Sequence, residues 1–399
     1  MSRNGNEPVI LSAVRTPIGN FQGALSSLKA PQLGSVAVKS ALERAGIPGD
    51  RIDEVIMGHV VQAGTGQAPA RQAAVGAGLP DNTPSMAVNK VCGSGLKAVM
   101  IASSMIKAGD ADVLIAGGQE SMSNVPYGLM TARRGMRLGN QVATDLMIHD
   151  GLWCCFNDCH MGNLAEYTAD KAELNREDLD QFSYESHMKA TAAQQGGKFD
   201  GEIVPVEVPQ RKGDPVIVSV DETPKPDTTV EVLSKLRPAF QKDGIVTAGN
   251  APGLNDGASA LVVAARSVAE ELGTPILARI TGYAQAALAP KEIFFAPVEA
   301  VRKLVSQLGV DLNDFDLIEA NEAFAAQALA DGNKLEWDWD RVNVNGGAIA
   351  LGHPIGASGA RILTTLIYAL KDRGGSRGLA TLCLGGGGAV ALAIEIEKG

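Results

Sequence analysis

Apolar residues in the N-terminal part of the chain follow two alternating spacings. Residues 9–14, 52–57 and 113–116 are short, mainly apolar segments, which predict buried strands. Residues 32–45 and 95–108 instead place apolar side chains three and four positions apart and are each followed by a glycine, which predicts amphipathic helices. Alternating strands and helices of this kind predict an α/β fold.

The same pattern returns in the C-terminal part. The segment that begins Gly46-Ile47 corresponds without a gap to the segment that begins Gly309-Val310, and residues 94–97 correspond to residues 358–361 at nearly the same shift. We therefore interpret the chain as an internal duplication of one α/β domain. Residues 94–97 and 358–361 each begin a predicted helix. If the two copies pack around a pseudo-twofold axis, the turns that precede these two helices meet in one cleft.

The middle of the chain, about residues 121–248, matches neither copy. It contains a predicted helix over residues 176–195 and is rich in proline and charged residues over 205–238. Long inserted segments are usually functional. We interpret this one as an insertion that lies over the cleft.

Composition narrows the classes of function. The chain has 399 residues, enough for two or three domains, and a net charge of −10, which argues against a general nucleic-acid-binding protein. No apolar segment is expected to be long enough to span a membrane. Residues 1–8 lack the features of a signal or transit peptide, and five scattered cysteines do not indicate a disulfide framework. These features predict a cytoplasmic protein in a reducing compartment.

Cys92 stands in a Cys-Gly-Ser-Gly turn directly before a predicted helix. A helix N-terminus stabilises a thiolate, so we expect the pKa of Cys92 to be lowered, as a nucleophile requires. For an isolated motif of this kind, the alternative of a small buried apolar residue is favoured.

Three further residues occur in settings that suit catalysis. His353 lies in a glycine-rich turn before a helix and could accept a proton from Cys92 or stabilise an oxyanion; a structural histidine is the alternative. Cys383 precedes a run of glycines whose N–H groups could form an oxyanion hole, or which could simply form a tight hairpin. Asn321 could position a water, hold an oxyanion or cap a helix. The glycine-rich turn lacks the Gly-Lys-Ser/Thr of a P-loop.

Together these motifs resemble the thiolase family, and within it the biosynthetic type, the acetyl-CoA C-acetyltransferases. The resemblance runs nearly end to end. It is carried by the segments 15–19, 89–95, 117–123, 160–162, 235–240, 249–251, 254–258, 321–325, 345–359 and 383–387. It implies a thiolase fold of two duplicated α/β core domains, layered α-β-α-β-α, with an inserted loop domain.

The resemblance implies roles for the residues named above. Cys92 would accept the acyl group, His353 would activate it, and Cys383 would exchange a proton with the substrate methyl group. Asn321 would hold a water at the enolate oxygen, and the N–H groups of Cys92 and Gly385 would form the second oxyanion hole. The implied reaction is a reversible Claisen condensation of two acetyl-CoA molecules to acetoacetyl-CoA and CoA.

The substrate site is also implied by the resemblance. His160 and Met161 would lie beside the acyl group, and Met161 would shorten the pocket and favour short acyl chains. A surface histidine beside a buried methionine is the alternative for this pair. The expected substrate contacts are His160, Met161, Phe324, Lys225, Ala251 and Pro252; other basic residues that could reach the CoA phosphates are Arg211, Lys212 and Lys235.

Several positions depart from the family pattern. Pro252 replaces a serine that contacts pantetheine, which would remove a hydrogen bond worth roughly 1 kcal/mol. Phe294, Ala296 and Ala389 replace glycines. Crowded ligands at Cys154, Cys155, Cys159 and His160 raise the alternative of a zinc site, but structural zinc usually has two separated ligand pairs, so no metal is expected. We treat these three cysteines as packing residues that are open to oxidation.

The expected domains are an N-terminal core (residues 1–121 with 250–275), an inserted loop domain (122–249) and a C-terminal core (276–399). The expected partners are acetyl-CoA, acetoacetyl-CoA and CoA, with no prosthetic group, no nucleic acid and no membrane, in a homotetramer. A degradative 3-ketoacyl-CoA thiolase of β-oxidation with a longer acyl pocket is the nearest alternative. A condensing enzyme that acts on acyl-carrier protein and a non-catalytic CoA-binding relative are more distant ones.

Overall fold

The computed structural model describes residues 6–397, so the predictions for residues 1–5, 398 and 399 lie outside the described part. Sixteen strands are present in this range. They are β1 Pro8–Arg15, β2 Gly19–Asn20, β3 Glu54–Gly58, β4 Ser85–Val88, β5 Val113–Ser121, β6 Tyr127–Gly128, β7 Thr144–Asp145, β8 Trp153–Cys154, β9 Cys159–His160, β10 Val206–Val208, β11 Val216–Val218, β12 Asn255–Ala265, β13 Ala278–Ala287, β14 Leu317–Ala320, β15 Arg377–Leu384 and β16 Gly388–Ile396.

Eleven α-helices occur in the same range. They are α1 Ala30–Ala45, α2 Pro69–Gly76, α3 Ser94–Ala108, α4 Met161–Lys171, α5 Arg176–Gln195, α6 Val230–Leu233, α7 Arg266–Leu272, α8 Ala296–Leu308, α9 Ala325–Leu335, α10 Ala348–Leu351 and α11 Ile355–Arg373. A short π-helix spans Met147–Leu152.

The central sheet confirms the predicted duplication. Its order is β14-β15-β16-β13-β1-β12-β5-β3-β4. In the N-terminal half, β3 pairs in parallel with β5, which pairs antiparallel with β12, and β12 pairs antiparallel with β1. The C-terminal half repeats this arrangement with β14, β15, β16 and β13. The two halves join at β1 and β13 through only two residue pairs.

Helices complete five layers. On the outer face of the N-terminal half, α1 packs against β5 and β12, and on that of the C-terminal half α8 packs against β13 and β16. Helices α3 and α11 pack against each other and contact strands of both halves, so they form the shared middle layer. The α-β-α-β-α arrangement is therefore confirmed.

Glycines let the two middle helices approach the sheet and each other at backbone distance. A Cβ at Gly118 would lie 2.1 Å from the carbonyl oxygen of Gly356, and one at Gly95 would lie 2.7 Å from the backbone nitrogen of Ala360. Both distances are far below any normal contact, so no larger residue fits. This packing fixes the start of α3 relative to the start of α11, and these are the two turns that carry Cys92 and His353.

The predicted elements agree with the structure except at their ends. Helix α1 begins two residues earlier than predicted, at Ala30, because a proline in its first turn starts the helix without needing an N–H donor. Residue 52 lies before the strand, because residues 49–51 form a short 3₁₀ helix and the strand begins at Glu54. Strand β5 extends five residues beyond the prediction, to Ser121.

The inserted segment lies against the C-terminal half, where α4 and α5 both pack on α9. A buried ion-pair network joins it to the N-terminal half: the guanidinium of Arg15 donates to Glu202 at 2.6 Å and to both carboxylate oxygens of Asp221 at 2.7 and 2.9 Å. All three side chains are at most 1% exposed. Breaking such a pair leaves a buried charge unpaired, so this network holds the insertion firmly in place.

The expectation that no segment is long and apolar enough to span a membrane is wrong for residues 91–108. These 18 residues have a mean hydropathy of 1.2, and 56% of them are buried inside the protein. They contain α3, which forms part of the middle layer between the two sheet halves. Their apolar character therefore has a structural cause in the duplicated fold.

Candidate active site

A cavity of about 370 Å³ opens where the two halves and the insertion meet. Its wall is mainly apolar and contains two cysteines and two histidines. The residues that line it include Val91, Cys92, Met147, Leu152, His160, Met161, Phe240, Ala251, Pro252, Leu254, Ile293, Phe294, Ala323, Phe324, His353, Cys383, Leu384 and Gly385. Cavities of this size and character are typical of small-molecule sites.

Cys92 projects into the cavity from a strained turn. The preceding residue, Val91, has φ = 47°, a left-handed conformation that is a genuine outlier for a β-branched residue and costs roughly 1–3 kcal/mol. The turn is stabilised by the side chain of Asn89, which accepts from the N–H of Val91 at 3.0 Å and donates to the carbonyl of Val60 at 3.1 Å. Strain held in this way is typical of functional turns.

The expected low pKa of Cys92 is wrong. Burial raises its pKa to about 12, and the negative Glu120 adds to this effect, while the N–H groups of Cys92 and Gly385 act in the opposite direction. Helix α3 begins only at Ser94, so the helix dipole does not outweigh burial. The thiol is therefore neutral at rest and needs a base.

His353 has the tautomer that suits a base. The hydroxyl of Ser358 donates to the carbonyl of Pro354 at 2.9 Å, which leaves its oxygen free to accept from Nδ1–H of His353 at 2.6 Å. The proton is thus assigned to Nδ1, and Nε2 carries the lone pair. Burial, with a smaller contribution from Arg361, lowers the pKa of His353 to about 3, so the ring is neutral.

Cys383 lies at the end of β15, just before the tight hairpin into β16. Gly386 and Gly387, with φ of 86° and 89°, form the turn, so the hairpin proposed as the structural alternative is present together with the cavity-lining thiol. Burial, then the proximity of Cys92, raises the pKa of Cys383 well above its ordinary value. Both thiols line the same cavity.

Asn321 is not the helix cap that sequence allowed. Residues 321–324 form a loop, so helix α9 begins only at Ala325, and the residue at its N-cap position is Phe324. Asn321 is 1% exposed, and neither its Oδ1 nor its Nδ2 has a hydrogen-bond partner. A buried amide without partners is the kind of group that holds an ordered water. Asn321 does not itself line the cavity, but its neighbour Ala323 does.

Aromatic and apolar side chains form one end of the cavity. His160 accepts from the N–H of Gly162 at 3.0 Å through Nδ1 and stacks on Phe240 with ring centres 4.8 Å apart. Burial lowers its pKa. Phe324 meets the edges of Phe240 and Phe294 at 6.1 and 5.4 Å. Together with Met161, these rings line the cavity.

The remaining predicted contacts divide into two groups. Ala251 and Pro252 line the cavity. Lys225 does not: its side chain is exposed, and its backbone N–H donates to Nδ1 of His187 at 3.3 Å. Arg211, Lys212 and Lys235 are likewise exposed and outside the lining.

A zinc site at the three clustered cysteines has no structural support. Cys154 is buried while Cys155 is exposed, and the Cys154 thiol donates to Asn157. Within residues 6–397, no group of three or more histidine, cysteine, aspartate or glutamate side chains is arranged to hold a metal ion.

Comparison with known proteins identifies the family. Residues 8–267 match the model of the thiolase N-terminal domain, and residues 274–396 match that of the thiolase C-terminal domain. The chain belongs to the thiolase family. The predicted fold is confirmed by the crystal structure of the Bacillus anthracis acetyl-CoA acetyltransferase, which is 43% identical, superposes with a TM-score of 0.96, and covers 98% of this chain and 99% of its own.

Thiolases of known sequence resemble the chain over almost its whole length. The acetyl-CoA acetyltransferase of Pseudomonas aeruginosa is 54% identical over 386 residues, 97% of this chain and 98% of its own. The acetyl-CoA acetyltransferase of Cupriavidus necator is 54% identical over 387 residues, again 97% of this chain and 98% of its own. A probable acetyl-CoA acyltransferase of Staphylococcus epidermidis is 50% identical, with the same coverage.

Sequence reasoning missed several residues of this thiolase site. Ser358 orients His353 through a hydrogen bond. A serine in the first turn of a helix is common, so the sequence alone does not indicate this role. Glu120 accepts the N–H groups of Val60, Val61 and Gly356 at 2.9–3.3 Å and so ties the loop after β3 to the start of α11. A buried carboxylate after a strand is visible in sequence only if its partners are known.

Among the expected departures from the family pattern, Pro252 and Phe294 line the cavity. Phe294 is 2% exposed. Ala296 starts α8 without disturbing it, and Ala389 lies directly opposite Cys383 in the hairpin, fully buried. Of Phe294, Ala296 and Ala389, only Phe294 lines the cavity.

Proposed function

We propose that the protein catalyses the reversible Claisen condensation of two acetyl-CoA molecules to acetoacetyl-CoA and CoA, through an acetyl group on Cys92. The observation that carries this proposal is the single cavity lined by Cys92, His353 and Cys383, with the N–H of Gly385 directed at the Cys92 sulfur. The acetyl-CoA acetyltransferases described above, similar over nearly full length, support the choice of substrate.

In the first half-reaction, Nε2 of His353 accepts the Cys92 proton as the sulfur attacks the thioester carbonyl of acetyl-CoA. Both groups begin neutral, so charge appears only during attack, where the N–H groups of Cys92 and Gly385 stabilise the oxyanion. The C–S bond to CoA then breaks. The CoA thiolate takes the proton of Cys383 and leaves, so that Cys383 becomes a thiolate, His353 keeps the proton of Cys92, and the acetyl group stays on Cys92.

In the second half-reaction, the Cys383 thiolate removes a proton from the methyl group of a second acetyl-CoA. The enolate oxygen is stabilised by His353 and by a water held on Asn321, whose amide has no protein partner. The enolate carbon attacks the acetyl carbonyl, the bond to Cys92 breaks, and acetoacetyl-CoA forms as the Cys92 sulfur takes its proton back from His353. The high pKa of Cys383 suits this step, because its thiolate is then a strong base.

The proposed preference for short acyl groups follows from the end of the cavity formed by Met161, Phe294 and Phe324. Each extra methylene of a longer acyl chain would need space that these side chains occupy. Inserting extra methylenes into a well-packed region costs about 1–3 kcal/mol. The degradative 3-ketoacyl-CoA thiolase is the alternative, with the same cysteines and a longer pocket.

Thiolysis of a series of 3-ketoacyl-CoA substrates by the purified protein distinguishes the two. We expect a sharp preference for acetoacetyl-CoA. Rates on long-chain substrates that equal or exceed the rate on acetoacetyl-CoA would instead assign the protein to the degradative type, with the Cys92 mechanism unchanged.

We further propose a cytoplasmic homotetramer that uses CoA as a substrate and needs no prosthetic group, because the steps above are complete with protein side chains. The assembly is supported by an exposed apolar segment in the insertion. Its most exposed members are Tyr127 at 67%, Met130 at 61%, Leu138 at 104% and Val142 at 83%. Patches of this kind mark contacts between subunits. The mass of the protein in solution tests this directly.

A further inference from the structure

The hairpin that carries His160 to the cavity places two cysteines directly opposite each other. Strands β8 and β9 pair antiparallel, with Trp153 opposite His160 and Cys154 opposite Cys159. Four residues connect the strands. The thiol of Cys154 donates to Asn157 within this connection at 3.4 Å, and both cysteines are free thiols.

This pairing meets the geometric requirement for a disulfide. Residues directly opposite in an antiparallel ladder have Cα atoms roughly 4.5–5.5 Å apart and side chains on the same face, within the range that disulfides span. Cys154 belongs to the apolar cluster behind the cavity, and Cys159 packs against that same cluster. Burial, and then the neighbouring Cys154, raise the pKa of Cys159.

We propose that Cys154 and Cys159 are a reversible dithiol–disulfide pair, whose oxidation closes the β8–β9 hairpin and reshapes the acyl end of the cavity. The two residues that follow Cys159 are His160 and Met161, and both line the cavity. Cys159 is therefore bonded directly in the chain to a residue of the cavity wall, His160.

A low-molecular-weight disulfide is the oxidant. Cys159, the more accessible of the two, loses its proton and attacks one sulfur of this disulfide, whose S–S bond breaks and releases one small thiol. Cys154 then attacks the Cys159 sulfur of the mixed disulfide and releases the second small thiol. Two protein thiols are oxidised, one external disulfide is reduced to two thiols, and a dithiol reagent reverses the change.

Closure changes contacts on both strands. The sulfur of Cys154 must leave Asn157 to reach bonding distance of Cys159, and Cys159 must move towards it. His160 follows Cys159 directly in the chain, so a movement of Cys159 also displaces His160. This displacement disturbs the stacking of His160 on Phe240 and its hydrogen bond from the N–H of Gly162, which hold this part of the cavity wall in place. The expected consequence is weaker binding of the acyl-CoA substrate with little change in the chemical step.

The test treats the full-length protein with oxidised glutathione at mildly alkaline pH and maps disulfide-linked peptides. Cys154→Ala keeps the buried position apolar, and Cys159→Ser changes the accessible one, so each removes the pair in a different way. Cys155→Ser is the matched control, because Cys155 is exposed and has no cross-strand cysteine. Trp153, on the same hairpin, reports closure by its fluorescence.

We expect a Cys154–Cys159 linked peptide, a fluorescence change reversed by dithiothreitol, and a KM for acetoacetyl-CoA raised by about threefold or more with kcat nearly constant. All three should occur in the wild type and in Cys155→Ser and be absent from the other two variants. Oxidation of Cys92 or Cys383 would affect all four proteins alike. A folded protein without the linked peptide overturns the proposal, and a linked protein with unchanged KM overturns its effect on the cavity.

The kinetic part rests on the proposed function, but the peptide map and the fluorescence do not. If the reduced protein has no thiolysis activity, the proposed function fails. The disulfide is then still decided by the other two measurements.

Discussion

The hydrogen bond between Ser358 and His353 predicts a specific loss of catalysis when the serine is removed. In Ser358→Ala, Nδ1–H of His353 loses its acceptor at 2.6 Å in a position where the serine is fully buried. Leaving a buried donor unsatisfied costs about 1–3 kcal/mol, which the ring avoids by moving its proton to Nε2. Nε2 then no longer accepts the proton of Cys92.

If this cost enters the first half-reaction in full, kcat/KM for thiolysis falls by about 5- to 150-fold. The assay is thiolysis of acetoacetyl-CoA as a function of pH, with thermal unfolding measured on the same samples. Ser183→Ala is the matched control: Ser183 is also buried in a helix and donates to the carbonyl four residues earlier at 2.7 Å, but its hydroxyl is not hydrogen-bonded to a histidine.

The two variants lose a comparable helix hydrogen bond, so their melting temperatures should fall by similar amounts. Only Ser358→Ala should lose activity beyond that. Equal activity in the two variants would refute the assignment of the tautomer, and with it the argument that His353 is oriented for proton transfer from Cys92.

Three further predictions follow from the same geometry. Phe294→Gly opens the end of the cavity, so the ratio of kcat/KM for 3-keto-hexanoyl-CoA to that for acetoacetyl-CoA should rise about tenfold; an unchanged ratio would place the length limit elsewhere. Asn321→Ala removes a buried amide without partners, so kcat should fall about tenfold or more while the melting temperature holds or rises, and parallel losses would contradict the water-holding role. Burial and Lys225 lower the pKa of His187 to about 4, so protonation of the unfolded chain should cost up to roughly 1.4 kcal/mol of stability per pH unit as the pH falls from 6.5 towards 4. His187→Gln should flatten this pH dependence of unfolding in denaturant, and an unchanged slope would contradict the argument.

Local signals in the sequence predicted much of the fold. Helix α5 has the predicted bounds, because Asn175 caps it and Asp178 returns the hydrogen bond to the cap. Strand β5 was predicted too short, because Gly117 and Gly118 interrupt the apolar run that defined it. The structure explains the glycines by the close approach of β12 and of Gly356.

The site was predicted less completely, because its chemistry depends on contacts between distant segments. The glycine turns located Cys92, His353 and Cys383, whose catalytic roles stay predictions. The pKa of Cys92 was predicted in the wrong direction, since a local motif contains the helix dipole but not the burial that outweighs it. The positive φ of Val91 likewise could not be predicted from the sequence, because the surrounding turn that imposes it depends on contacts with other segments.

The most direct test of the account is to identify the residue that carries the acetyl group. The protein is mixed with acetyl-CoA, quenched in acid and digested, and each cysteine peptide is examined by mass spectrometry. We predict one added acetyl group on the peptide that contains Cys92, removed when CoA is added before the quench. Acetylation of Cys383 instead, or an active protein with an unmodified Cys92, would contradict the proposed mechanism.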